Sequence, residues 1–203
     1  VHTTHSDKGR ITMTTQTVEH DVRLNAGGVP QIIQAYTAAS DADKVGGTDW
    51  YGVAGYIAHD IHPEHGAAIV AALSPNRAWD INIIAAREVV ATGWTKWQSG
   101  RNVDKARRIL DGETADNVLG GNKVRAFWRA IEGSDHVVID RHALGVFRGK
   151  HATARDVKVL ERKGAYALVA QAYRRAARIL GVGAVELQAI TWLYWRRTKG
   201  VTA

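Results

Sequence analysis

The sequence specifies an all-α protein. Apolar residues recur at i, i+3, i+4 and i+7 in segment after segment, and no apolar–polar alternation lasts long enough to build a sheet. The best strand candidate, Val137-Val138-Ile139, is only a triplet. Gly and Pro interrupt the helical segments at short intervals and there is no internal repeat, so the expectation is about eight to ten helices joined by short links.

Residues 1–28, rich in Thr, His and Asp and ending in Gly27-Gly28, read as a polar N-terminal arm, which leaves 29–203 as a single helical domain. Pro30 opens a helix that runs through Tyr36 toward Ser40. A polar link containing Gly46-Gly47 leads to Asp49, a candidate N-cap for a helix bearing Trp50, Val53, Ala54, Ile57 and Ile61. In the next segment His59, His62 and His65 stand near Asp60 and Glu64. Pro63 breaks their helical register, which favours a turn between helices over a metal site.

A small-residue helix over 64–73 meets Ser74-Pro75, a hydroxyl and a proline that signal the start of a helix carrying Trp79, Ile83, Ala86 and Val90. Trp94 and Trp97, set among Lys96, Gln98 and Arg101, form an amphipathic stretch, and short helices follow near 103–111 and 113–119. Beyond Asp140 a Gly- and Lys-rich link from Gly145 to His151 precedes a helix with Tyr166, Val169, Tyr173, Ala176 and Leu180 on one face, stopped by Gly181. The last helix is apolar nearly all round and is expected to wedge between others. Arg196, Arg197 and Lys199 suit the C-terminal end of its dipole.

Composition narrows the class. Of 203 residues 45% are hydrophobic and 23% charged, which supplies one globular domain or two small lobes with a shared core. Lys and Arg exceed Asp and Glu by 27 to 20, and these cations are spread over helical segments, as a surface tracking a polyanion requires. The absence of cysteine excludes disulfides, thiolate zinc sites, cysteine nucleophiles and cysteine-ligated iron–sulfur clusters. No apolar run reaches membrane-spanning length and no charged-then-apolar leader is visible. The expectation is a soluble, cytoplasmic monomer that makes no membrane contact.

The stretch from Leu119 to Leu144, LGGNKVRAFWRAIEGSDHVVIDRHAL, carries the chemistry. Its Gly120-Gly121 turn and helix start expose backbone N–H groups at the positive end of a dipole, an anion site suited to a DNA phosphate. Lys123 lies in the first helical turn, where the dipole disfavours its charged form; it is a candidate nucleophile, or else a phosphate-binding lysine. Asp140 follows the apolar triplet, where a partly buried carboxylate can stabilise a developing cation or take a proton from water. It is also a candidate helix N-cap, and the two roles are compatible.

A lysine and an aspartate at the mouth of a basic helical protein suit cleavage of an N-glycosidic bond. The sugar gains oxocarbenium character, the carboxylate opposes that charge, and an amine or water attacks the anomeric carbon once the base has left the stack. No cofactor and no metal is called for.

The same residues resemble the helix-hairpin-helix DNA glycosylase superfamily, which includes endonuclease III and the adenine-mismatch glycosylases. Gly121-Asn122-Lys123 matches the second half of its hairpin motif, leucine–proline–glycine–any–glycine–any–lysine, with Leu119 in the place of the first glycine. Ile139-Asp140-Arg141-His142 matches its valine–aspartate–threonine–histidine motif. Leu73-Ser74-Pro75-Asn76, followed by Asp80 and Asn82, is similar to its leucine–serine–alanine–glutamine segment, whose amide fills the gap left by a flipped base.

The resemblance covers roughly residues 50–150 and extends to sequences of phages and actinobacteria. It implies a two-lobed helical fold with a cleft between lobes, a helix-hairpin-helix over about 113–131, and double-stranded DNA as partner. The implied activity is that of a DNA glycosylase with AP-lyase activity through Lys123. Asp140 and Lys123 would be catalytic, and Gly120, Gly121, Asn122, Asn76 and Arg77 would contact DNA, Asn76 as the wedge.

Two other functional readings stay open, a non-catalytic DNA-binding protein of the same fold and a phage enzyme acting on modified bases in DNA. Asn76 also fits a plain extension of the Ser74-Pro75 helix start, and His142 reads as a structural hydrogen-bonding residue. Trp50, Trp79, Trp128, Trp192 and Trp195 read as core, with Trp94 and Trp97 as the tryptophans to consider for stacking on a base.

Overall fold

The computed structural model describes residues 28–198, and among them every regular element is helical. In chain order these are α1 (28–38), α2 (Asp41–Thr48), α3 (Trp50–Ile61), α4 (Gly66–Leu73), α5 (Trp79–Thr92) and α6 (Gly100–Leu110). Then come α7 (Ala115–Val118), α8 (Asn122–Ile131), α9 (Arg141–Arg148), α10 (Ala154–Val157), a 3-10 turn (Lys158–Glu161), α11 (Ala165–Leu180) and α12 (Ala184–Thr198). The polar arm expected over 1–28 lies outside the described residues except for Gly28, which already belongs to α1. No single helix among the described residues is long and apolar enough to cross a membrane.

Burial sorts these helices into two large hydrophobic clusters, with a small third one of Ala126, Ala130 and Val138 beside them. One is built by α3 to α8 around Ile69, Leu73, Val89 and Ile109. Its centre is α4, whose residues are buried on nearly every face and which packs on α3, α5, α6 and α8. A helix apolar all round has no solvent side to offer, so the amphipathic helices gather about it. The other cluster joins α1, α9, α11 and α12 around Ile32, Ile139, Leu144, Tyr173 and Leu187. The described residues thus start in the second cluster at α1, cross to the first, and return at Val137.

The returning triplet 137–139 is extended but has no strand beside it. Tyr166 on α11 stands in for the missing neighbour: its hydroxyl accepts from the Ile139 N–H at 2.9 Å and donates to the Val137 carbonyl at 3.1 Å. Buried peptide groups require partners, and one tyrosine here supplies both a donor and an acceptor. It fixes the path that delivers Asp140 to the start of α9.

Several local expectations are corrected. The polar link around Gly46-Gly47 is the helix α2, begun by a capping box in which Ser40 and Asp43 bond each other's backbone N–H at 3.2 and 2.9 Å. Its glycines serve helix contact rather than a turn. A Cβ on Gly47 would stand 2.6 Å from both Cα and N of Ile190 on α12. Gly145 likewise sits inside α9, against the Trp195 side chain, and not in a link.

Ser74-Pro75 does not start a helix. Ser74 follows the end of α4, its Oγ donating to the Ala71 carbonyl at 2.9 Å, and α5 begins only at Trp79 after a turn. The histidine-rich segment is a turn in which His62 Nδ1 accepts the N–H groups of Glu64 and His65, and the His62 and His65 rings stack at 4.9 Å. No group of three or more metal-ligating side chains comes together among the described residues. Arg197 does more than suit a dipole: it pairs with the buried Asp43 at 2.6 Å, tying the end of α12 to α2. That hydrogen bond, against the cost of burial, holds the Asp43 carboxyl below its ordinary range.

The tight α2–α12 contact gives a stability test. Gly47→Ala must push rigid backbone aside and is expected to cost about 1–3 kcal/mol in urea denaturation. At Gly46 an added Cβ meets only the Leu193 Cδ1 at 3.3 Å. Gly46→Ala should therefore stay within about 0.5 kcal/mol of the parent; equal losses at both positions would contradict the assignment.

Candidate functional site

Segments far apart in sequence line one cavity of about 800 Å³. The turn over 74–77 between α4 and α5 forms one edge, Lys123 at the start of α8 another, and Asp140 to His142 at the start of α9 a third. Gln188, Trp192 and Arg196 of α12 close it, and Trp50, Tyr51, Trp79 and Phe127 supply aromatic walls. Asp140, Lys123, Asn76 and Arg77 are therefore brought together around one space.

Asp140 is the N-cap of α9. Its Oδ1 accepts the N–H groups of His142 and Ala143, each at 2.8 Å, satisfying two of the donors that a helix start leaves open. Its Oδ2 accepts the indole N–H of Trp192 at 2.9 Å. A carboxylate offers about four acceptor sites, so three are held by the protein and room remains for one more partner. The side chain is half-buried and lines the cavity, as the preceding apolar triplet led one to expect.

Trp192 is itself held from several sides. The Arg196 guanidinium lies over its ring at 4.3 Å, the His142 ring meets it edge-on at 6.2 Å, and Trp50 lies 6.3 Å away on the other cluster. Trp192 therefore links the carboxylate to both halves of the fold. Burial pushes the His142 imidazole below its ordinary value; Arg141, Arg196 and His151 add to this, and only Asp140 opposes it.

Lys123 is exposed in the first turn of α8. Ahead of it, Gly120, Gly121 and Asn122 lie on an exposed turn outside the cavity lining, and Gly121 has a φ of 79°, a left-handed value that favours glycine. Arg125 braces this turn by donating to the carbonyls of Leu119 at 2.7 Å and Asp116 at 2.8 Å. Arg129 pairs with Asp116 and joins α7 to α8.

Asn76 stands exposed at the tip of the 74–77 turn with a φ of 59°, the one non-glycine residue at positive φ among the described residues. Asparagine tolerates that region better than most side chains, and strained positions of this kind concentrate at functional sites.

Trp128 and Trp195 are buried as expected, and Trp50 and Trp79 are half-buried, packing on the α3–α8 cluster while also lining the cavity; Trp192, expected in the core, is half-buried and lines the cavity instead. Trp94, 63% exposed, and Trp97, whose indole donates to Glu88, lie outside its lining. Gln188 and Tyr51 had no sequence signal beyond helical spacing, and Arg196 read only as a cation suited to the helix dipole. Of the charged residues that line the cavity among the described residues, Arg77, Lys123, Arg141 and Arg196 are cations, and Asp140 is the single carboxylate.

The class this defines is a basic, all-helical protein with one fixed carboxylate in a large aromatic cavity. Residues 15–199 match a family described as "Family of unknown function (DUF7178)", and the chain belongs to that family. No curated protein and no solved structure matches the chain.

Two measurements probe the site's construction. Asp140→Ala removes both the side-chain cap and the acceptor of the Trp192 indole and is expected to cost about 2–3 kcal/mol in thermal unfolding, whereas Asp140→Asn keeps the cap oxygen, sets its amide N–H against that indole, and should cost about 1 kcal/mol. An NMR titration should place the His142 pKa below 6.5. Because the folded value is lowered, its stabilising contribution is complete above the unfolded value of about 6.5 and is lost as pH falls through the folded one. A His142 that titrates above 6.5 would contradict the burial argument.

Proposed function

We propose that this chain is a DNA glycosylase of the helix-hairpin-helix type, which cleaves the N-glycosidic bond of a damaged or modified base flipped out of double-stranded DNA. The observation that carries this reading is Asp140, among the described residues the single carboxylate lining a cavity edged by four cations, held by three N–H groups with acceptor capacity left over. In the same reading the two hydrophobic clusters are the two lobes, the cavity is the cleft between them, and α7, the turn and α8 form the hairpin. DNA phosphates meet the N–H groups around Gly120, Gly121 and Asn122 together with Arg77. Asn76 enters the gap that the extruded base leaves.

As the bond from the anomeric carbon to the base breaks, its electron pair leaves with the base and positive charge builds on the sugar. Asp140 opposes that charge from a fixed position, so little reorganisation accompanies it. Water then attacks the anomeric carbon and loses a proton, giving an abasic site. Where the Lys123 amine attacks instead, sugar ring opening yields an imine, and β-elimination breaks the carbon–oxygen bond to the 3′ phosphate.

The direct test is base release from duplexes that each carry one damaged or modified base. Wild type should release at least one of them. Asp140→Asn should slow release by about 10²–10³-fold at unchanged DNA affinity. Trp192→Phe, which keeps the ring and loses the N–H, should slow it by about tenfold. Borohydride should trap an adduct on abasic DNA with wild type and none with Lys123→Gln. Tight DNA binding without release from any duplex would leave a non-catalytic DNA-binding protein.

A further inference from the structure

We infer that the cavity selects bases presenting a carbonyl oxygen to Gln188, that is, oxo bases over amino bases, an inference that rests on the reading that a flipped base occupies this space. Gln188 lies on α12, is 3% exposed and lines the cavity. A primary amide by itself reads either kind of edge. Rotated one way it offers two N–H donors, rotated the other way a carbonyl acceptor.

Tyr51 accompanies one of these orientations. Its hydroxyl reaches across from α3 and donates to Gln188 Oε1 at 2.8 Å. The oxygen is thereby turned toward the tyrosine. The amide nitrogen, which donates to no described residue, is the group left for a ligand. Burial, reinforced by the negative charge of Asp140, raises the Tyr51 hydroxyl well above its ordinary value, so it remains a donor at any working pH. In this structure the hydroxyl donates and the amide oxygen accepts.

A purine or pyrimidine offers this amide one of two groups at the position that distinguishes the bases. Uracil, thymine, guanine and hypoxanthine carry a carbonyl there, which accepts the N–H. Cytosine and adenine carry an amino group, which sets donor against donor and leaves a buried N–H unpaired. The aromatic walls favour a planar ring without choosing among bases: Trp50 lies 5.2 Å from Trp79 and 6.1 Å from Phe127 by ring centroids. Asn82 also lines the cavity, but its Nδ2 donates to the Val70 carbonyl and its Oδ1 is buried; the edge of the base is read by the Tyr51–Gln188 pair.

The test uses the full chain and four duplexes that differ in one unpaired base placed opposite an abasic analogue: uracil, cytosine, hypoxanthine or adenine. A 2′-fluoroarabino sugar at that base blocks cleavage, and affinity is read by fluorescence anisotropy. Wild type should bind uracil over cytosine, and hypoxanthine over adenine, by about tenfold. Gln188→Met should abolish the preference by weakening only the oxo duplexes. Tyr51→Phe frees the amide to rotate and should shrink the preference below about threefold while leaving oxo affinity in place. Equal binding of all four duplexes by wild type, or a preference that survives Gln188→Met, overturns the inference. Base release from cleavable versions of the same duplexes reports separately on the glycosylase reading, so a preference without release sinks that reading and leaves the recognition standing.

Discussion

Three N–H groups converge on Asp140, two from the first turn of α9 and one from the indole of Trp192, and the cavity takes its shape around that convergence. The cap bonds fix where α9 begins, and the indole bond fixes how α12 lies against it. Through Trp192 the same carboxylate reaches Trp50 and hence the cluster built by α3 to α8. Its charge extends further still: it raises the already elevated Tyr51, Tyr166 and Tyr173 hydroxyls and opposes the effect of burial on His142 and Arg196. A structural cap and a chemically placed carboxylate are here one group. A substitution that retains an oxygen is thus needed to separate the two roles.

The surroundings sharpen what that carboxylate can do. Among the described residues four cations and one anion line the cavity, which gives it a net positive field. The aromatic walls lower the local dielectric, which strengthens the interaction between the Asp140 charge and any cation formed nearby. The left-handed Asn76 turn lines this cavity, and the exposed Gly120-Gly121 turn leads into Lys123, which lines it too. Each feature has a bland use in isolation; their common space is what gives them joint meaning.

Local periodicity made much of this legible in one dimension. The helical class, the α11 face, the partly buried Asp140 and its cap role all follow from residues within a turn or two of one another. The residues that needed a partner across the fold were misread. Gly46-Gly47 looks like a link because sequence shows two glycines and not the α12 backbone pressed against them. Trp192 looks like core because its hydrogen bond spans 52 positions, and Tyr51 with Gln188, 137 positions apart, gave no signal at all. Ser74-Pro75 carried a genuine helix-start pattern that lost to the left-handed turn at Asn76. The candidate residues were thus within reach of the sequence, while the shape of the pocket that joins them was not.

The central claim is that Asp140 faces a positive charge at the sugar. It is tested most directly by the affinity of the full chain for two duplexes, one with a cationic pyrrolidine in place of a nucleotide and one with the neutral tetrahydrofuran analogue. A carboxylate placed to oppose an oxocarbenium ion should favour the pyrrolidine duplex by about 10²-fold or more, and Asp140→Asn should remove that preference. Equal affinity of wild type for the two duplexes would contradict it.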